Sequence, residues 1–298
     1  MAEQICKSCL YTSNHPFGVT FLDGICSGCI THQEKEELDW RARMESLEGL
    51  IRLILRRRRS ARYDCVIPVR GDAEDYFIVR TALGLGVRPL VVGINDYFMN
   101  DIGWHNLQNL ITYFDVDSMM YNPDLATYKA LVRTTLRKFD HVLWPSIALH
   151  TSFPVHVAAE RRVPIVLWGG MQSSEQVGKF SHRDQVQMSQ WSRVEHDLFG
   201  QNISDVLGTG AEIQREKLHY FHYPQIEMLS KRGVVGIYLS NYIRWDPLIQ
   251  NGSAVQEGFH PQEQCGTFDP YERAGSSVYY KLHDLLKLKR VGYRKCRD

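Results

Sequence analysis

Four cysteines set the first constraint on this chain. Cys6 and Cys9 form one CxxC pair, Cys26 and Cys29 form a second, and sixteen residues separate the pairs. A CxxC bends into a knuckle that presents two sulfurs to one point, and the loop between the pairs brings the second knuckle back to the first. The spacing therefore predicts a tetrahedral four-thiolate zinc site. Two disulfides in a secreted domain are the competing reading. Against it, no apolar signal segment follows Met1, and Cys65, Cys265 and Cys296 stand singly. A zinc ion enclosed by four thiolates has no open coordination position, so it is expected to be structural and to take no part in chemistry. The same cysteine usage points to a reducing, cytoplasmic compartment.

Length and charge exclude less. The 298 residues suffice for one large domain with a small appendage, or for two medium domains. Lys and Arg total 35 against 34 Asp and Glu, so the net charge of +1 gives no global pull toward nucleic acid or an anionic membrane. The run Arg56 to Arg59 follows apolar positions at helical spacing (Leu47, Leu50, Ile51, Ile54, Leu55). It reads as a basic helix C-terminus rather than an RNA or phosphate patch. No stretch is apolar enough to span a membrane, so a soluble protein is expected.

Periodicity divides the chain into a knuckle over residues 1–32, a linking helix over 33–60, an α/β core over 61–178 and a more polar part over 179–298 expected to cap the site. Apolar, β-rich runs at Tyr63–Val69, Arg88–Ile94 and Val163–Gly169 read as strands. Helical patterns stand near Tyr76–Leu85, Gly103–Phe114, Leu125–Lys138 and Ser152–Arg161. Alternation of this kind implies a parallel sheet with helices on both faces. Ligands in such sheets bind beyond the carboxyl ends of strands, which directs attention to the loops at 69–75, 95–103 and 169–178.

The first loop, Arg70-Gly71-Asp72-Ala73-Glu74-Asp75, joins a strand to a helix, where amides and the helix N-terminus make a phosphate cradle. With one glycine and three carboxylates it reads equally well as an ordinary turn whose acids complement the helix dipole. Asn95-Asp96 at the next strand end is either a turn or a ligand contact. His105 and Asn109 share a helix face with Asn106 beside them. That face suits a nucleotide pocket or simply solvent. His150-Thr151-Ser152 lacks a GxSxG elbow, so serine-hydrolase chemistry is not expected. His182, His196 and Asp197 do not have the spacing of a known metal site.

Nearly end to end, the chain resembles the N-acetyl sugar amidotransferase family of lipopolysaccharide O-antigen biosynthesis, within the PP-loop ATP pyrophosphatases. The resemblance rests on the knuckles with Phe21 and Gly24 between them, Lys35, Trp40 and Arg43, and the run Tyr63 to Val69. It continues through Pro89-Leu90, Gly103, His105-Asn106-Leu107, Asn109, Trp144-Pro145, Pro164-Ile165, Trp168-Gly169 and Glu175. Later matches are Gly236 to Leu239, Trp245-Asp246-Pro247, Gly266-Thr267-Phe268, His283-Asp284, Gly292-Tyr293, Lys295 and Asp298. The resemblance implies an adenine nucleotide α-hydrolase-like sheet that binds ATP with Mg2+ and adenylates a carbonyl oxygen. Ammonia from a histidine-biosynthesis-like glutaminase subunit then displaces AMP, turning an acetamido group of a nucleotide-linked sugar into an acetamidino group. It implies catalytic roles for Arg70, Asp75 and Glu175, and nucleotide contacts at Gly71, Asp72, Asn95, Asp96, Gly103, Asn106 and Gly169.

The chain departs from the family where it matters most. The family loop reads SGGKDS, and only Gly71 is kept in ungapped register. A one-residue shift aligns Asp75 with the motif aspartate, but both serines and the lysine are absent. The family's GEN reads Gly169-Gly170-Met171 here, and its EYG reads Glu175-Gln176-Val177. Three carboxylates repel a triphosphate unless Mg2+ intervenes. Three readings follow: an amidotransferase in which Arg70 replaces the lysine, an enzyme with another reaction on a nucleotide sugar, or a non-catalytic binding subunit. The family continues past the point where this sequence stops, so a truncated C-terminus is expected. The basic stretch Lys287, Lys289, Arg290, Arg294 and Lys295 is either a diphosphate contact or a solvated helix face.

Overall fold

The computed structural model describes residues 3–15, 17–57, 62–207, 213–261, 278 and 280–291. Arg58, Arg59, Cys265, Gly266, Thr267, Phe268, Gly292, Tyr293, Arg294, Lys295, Cys296 and Asp298 lie outside the described residues, as do the side chains of Asp284, Lys287 and Arg290.

The N-terminal knuckle is a minimal hairpin followed by a helix. Strands β1 (Phe21–Leu22) and β2 (Ile25–Cys26) pair antiparallel through Asp23-Gly24. Both turn residues have positive φ, 52° and 83°, the turn whose twist matches a two-residue hairpin. Helix α1 (Ser27–Glu34) starts at once, with the Cys26 sulfur accepting the Cys29 amide. The helical pattern expected from Gln33 to Arg59 resolves into two helices, because Asp39 caps a new one, α2 (Trp40–Arg56), by accepting the Ala42 amide. Lys35 lies between them and turns inward.

The core is a five-stranded, wholly parallel sheet of β3 (Cys65–Val69), β4 (Pro89–Ile94), β5 (Asp117–Tyr121), β6 (Ile165–Trp168) and β7 (Val235–Tyr238), in the order β5-β4-β3-β6-β7. Helices α3 (Ala73–Gly84), α4 (Asp101–Tyr113), α5 (Leu125–Phe139) and α6 (Trp144–Arg161) make the crossovers. Alternate residues of β3 feed two cores. Val66 joins Leu90, Val92, Tyr128, Leu149 and Phe153 on one face, while Cys65, Ile67 and Val69 join Tyr76, Val91, Leu107 and Leu110 on the other. The sheet is thus covered on both sides, as alternation of strands and helices predicts.

Helix α6 begins eight residues before the expected Ser152. Pro145 stands in its first turn, where no amide partner is needed, so the proline favours that start. The part after residue 179 builds into the sheet itself. It contributes β7 beside β6 and, through α7 (Pro247–Gln256), packs on α3, where Arg80 donates to Glu257 at 2.7 Å and to Ser253 at 2.8 Å.

The chain runs outward from β3 to β4 and β5, then returns to build β6 and β7 on the other side. The sheet order therefore reverses between β3 and β6, and the crevice at their carboxyl ends lies between the Arg70–Asp72 turn and Gly169-Gly170.

Candidate functional site

The four expected cysteines converge. The sulfurs of Cys6 and Cys29 lie 3.9 Å apart and those of Cys9 and Cys26 lie 3.6 Å apart, and all four fall within 4.8 Å of one another. Sulfurs bound to one tetrahedral ion at about 2.3 Å stand about 3.8 Å apart, so these spacings fit a single metal. They are far beyond a disulfide bond of about 2.05 Å. Backbone amides of Ser8 and Cys26 donate to the Cys6 sulfur at 3.4 and 3.2 Å, and the Tyr11 amide donates to Cys9 at 3.4 Å. Burial pushes the Cys6 thiol up, but the amides of Cys26, Ser8 and Cys9 outweigh it and hold it at about 6. The knuckle is fastened to the loop after β6, where the Ser27 hydroxyl donates to the Val177 carbonyl at 2.6 Å. A Cβ on Gly28 would stand 2.9 Å from the Gln176 carbonyl oxygen.

At the switch point the chain satisfies its own amides. Oδ2 of Asp75 accepts from the amides of Arg70, Gly71 and Asp72 at 2.7, 2.8 and 3.1 Å. These are the donors of a phosphate cradle, and a carboxylate of the same chain occupies them. Burial, with Asp72 and Glu74 close by, pushes the Asp75 carboxyl up to about 7, opposed by the amides of Arg70 and Asp72. Glu74 fills the opposite side, with Oε1 accepting the Gly170 amide at 2.9 Å. A side chain on Gly169 would collide with that carboxylate, so this glycine makes room for Glu74. Gly71 has φ of 85°, and a Cβ there would stand 2.8 Å from the carbonyl oxygen of Gly103 on α4. Its absent side chain is thus required by backbone conformation and helix contact.

Two polar atoms at this edge are buried without a partner, Nε of Arg70 and Oδ1 of Asp72. The Arg70 charge acts on two buried carboxyls. Burial raises Asp96, at the end of β4, and raises Asp197 to about 7, and Arg70 counteracts both. Asp96 also accepts the Phe98 amide at 2.9 Å, and Asn95 accepts the Tyr97 amide at 2.9 Å, so both fold their turn.

Other expected site residues serve packing contacts. Asn106 pairs with the backbone of His260 through both amide atoms, at 3.0 and 2.8 Å, and Asn109 donates to Tyr76 and to the Glu257 carbonyl. Glu175 stands in a buried ion pair with Lys35, which also donates to the Trp245 carbonyl at 3.1 Å. Nε2 of His182 stands 3.7 Å from the other Glu175 oxygen. Burial raises the Glu175 carboxyl, opposed by Lys35, and lowers His182 to about 4. His182, His196 and Asp197 do not form a metal cluster among the described residues. Arg193 is a buried cation that periodicity gave no reason to single out. It donates to Thr151 at 2.7 Å and to the carbonyls of Ala148 and Phe221 at 2.9 and 3.2 Å.

No family model and no curated protein matches the chain. Among solved structures it is similar to NMN synthetase from Francisella tularensis, with 10% identity over 76% of this chain and 99% of that one, at a TM-score of 0.36. It is also similar to NH3-dependent NAD synthetase from Campylobacter jejuni, with 9% identity over 76% and 100% of the two chains, at a TM-score of 0.35. Similarity this slight says nothing of what this chain binds. The fold stands on its own strand order and registers. No helix among the described residues is long and apolar enough to cross a membrane.

Proposed function

We propose that this chain is a catalytically altered relative of the N-acetyl sugar amidotransferases, a subunit that binds a component of a nucleotide-sugar pathway without cleaving ATP. One observation carries the reading: the Asp75 carboxylate holds the three amides that a phosphate group would need. Asp72 and Glu74 beside it repel a triphosphate at the same place. The proposed ligand is a nucleotide-linked acetamido sugar of surface-polysaccharide synthesis, on the strength of the resemblance in sequence. Cys6, Cys9, Cys26 and Cys29 would hold Zn2+, since an all-thiolate tetrahedron suits that ion, and the ion would fasten the knuckle to the loop after β6.

A second reading keeps ATP-dependent amidation, with Mg2+ and with ammonia from a glutaminase subunit. Its support is the pair of buried, unpartnered atoms, Nε of Arg70 and Oδ1 of Asp72, which suit a phosphate and a metal-bound oxygen. In that reading Arg70, Asp75 and Glu175 act on the reacting groups. Gly71, Asp72, Asn95, Asp96, Gly103, Asn106 and Gly169 would border the nucleotide.

Calorimetric titration of the zinc-loaded protein separates the two. With ATP and Mg2+ up to millimolar concentration no saturable heat is expected, whereas UDP-N-acetylglucosamine, as a nucleotide-linked acetamido sugar, is expected to saturate. Saturable ATP binding that Arg70→Ala weakens would overturn the first reading in favour of the second.

A further inference from the structure

We propose a second metal site, separate from the cysteine knuckle, made by His156, Glu160 and His219 and suited to a borderline divalent cation such as Zn2+, Co2+ or Ni2+. One nitrogen of each ring and one carboxylate oxygen of Glu160 lie within 4.8 Å of one another. Ligands bound to one ion at about 2.0–2.2 Å stand roughly 3.4 Å apart, so small rotations of side chains complete the set. Two imidazoles and a carboxylate match this class of metal, because imidazole favours it over the hard cations Mg2+ and Ca2+.

The scaffold holds the ligands from two sides. His156 and Glu160 stand one turn apart on α6, at positions that share a face. His219 comes from the 3-10 turn Arg215–Phe221, which is held on α6 by contacts beyond those of the ligands themselves, while the Glu160 carboxylate also accepts from the Tyr220 hydroxyl. The Ser152 hydroxyl donates to the Tyr220 carbonyl. Arg193 donates to the Phe221 carbonyl at 3.2 Å, and the Tyr220 ring packs edge-on against Phe153 at 5.0 Å.

His156 is also oriented as a ligand would be. It is only 4% exposed, and its Nε2 lies 2.8 Å from the carbonyl oxygen of His222. A carbonyl only accepts, so Nε2 carries the proton and Nδ1 keeps the lone pair. A backbone carbonyl fixes the tautomer of metal-binding imidazoles in this way. Glu160 and His219 are exposed, which leaves the remaining coordination positions open to water or to an exogenous donor.

The test uses the full chain with its cysteine cluster filled by one equivalent of zinc, titrated with Co2+ and followed by calorimetry and absorption. Cobalt that exchanges into the knuckle reveals itself by intense thiolate-to-metal charge-transfer bands, which a nitrogen and oxygen site lacks. The expected result is one further equivalent of Co2+ without those bands. Glu160→Gln and His219→Ala change solvent-exposed side chains and leave the fold intact. Each is expected to weaken the added equivalent by at least about tenfold, while His105→Ala leaves it unchanged. Absence of a second equivalent overturns the site, and so does a second equivalent that both substitutions leave unaltered.

Discussion

Removing the Glu175 carboxylate should damage stability far more than an exposed residue could. Lys35 is 3% exposed and the Glu175 side chain 10%, and besides Glu175 the ammonium donates to the Trp245 carbonyl at 3.1 Å. Glu175→Ala therefore leaves a buried cation with one neutral acceptor, a change that costs about 3–5 kcal/mol. With a urea m-value of about 3 kcal/mol/M, the unfolding midpoint falls by roughly 1–1.7 M. Replacing both partners by apolar residues of similar size, Lys35→Met with Glu175→Leu, removes the stranded charge. The double variant is expected to recover most of the loss, giving a coupling of at least about 2 kcal/mol in a double-mutant cycle closed by the single variants Lys35→Met and Glu175→Leu. The assay is equilibrium urea denaturation with zinc in excess, so that the knuckle stays loaded. A Glu175→Ala variant within 1 kcal/mol of wild type, or a cycle with no coupling, would refute the structural role given to this pair.

Three further outcomes follow from the same geometry. Gly71→Ala puts a Cβ on a backbone at φ 85° and 2.8 Å from the Gly103 carbonyl oxygen. It should cost about 2–4 kcal/mol by denaturation, and a cost below 1 kcal/mol contradicts the contact. Asp75, raised from 3.8 to about 7, keeps a proton in the folded state that the unfolded chain has lost. Its stabilising contribution is complete below pH 4 and disappears as pH rises through 7. Asp75→Asn should therefore gain stability relative to wild type as pH rises from 4 to 7, by up to about 1.4 kcal/mol per pH unit, and a flat difference across that range refutes the shift. Chelation of the knuckle metal should raise hydrogen exchange in residues 5–34 before the parallel sheet loosens, and Cys9→Ser should abolish the equivalent of zinc that the knuckle holds.

Local patterns were legible wherever a short segment decides its own conformation. The apolar runs of β3, β4 and β6 stand within a residue or two of their expected places, and the Asp23-Gly24 turn forms from its own two residues. Strand β5, Asp117-Ser118-Met119-Met120-Tyr121, escaped this reading because it is an edge strand, partly exposed, without a β-branched run. It forms because β4 offers a free edge, and Gly93 leaves room for the Met120 side chain. Strand β7 is four residues long and gains its identity only from pairing with β6, seventy residues earlier.

The candidate site divides in the same way. Sequence alone determined the four-cysteine cluster, since two CxxC knuckles and their spacer prescribe the convergence of sulfurs locally. It also determined the parallel α/β class and the loops at the carboxyl edge, because strand and helix periods repeat along the chain. Tertiary structure alone decided which carboxylates stand open to a ligand. Asp75 folds back on the amides beside it, Glu74 reaches Gly170 across the switch point, and Glu175 meets a lysine 140 positions earlier. The reason is physical: a carboxylate takes whichever donors packing brings within hydrogen-bonding reach, and buried in low dielectric it must be paired. Which donor arrives depends on how distant elements pack, and no residue pattern along the chain carries that information.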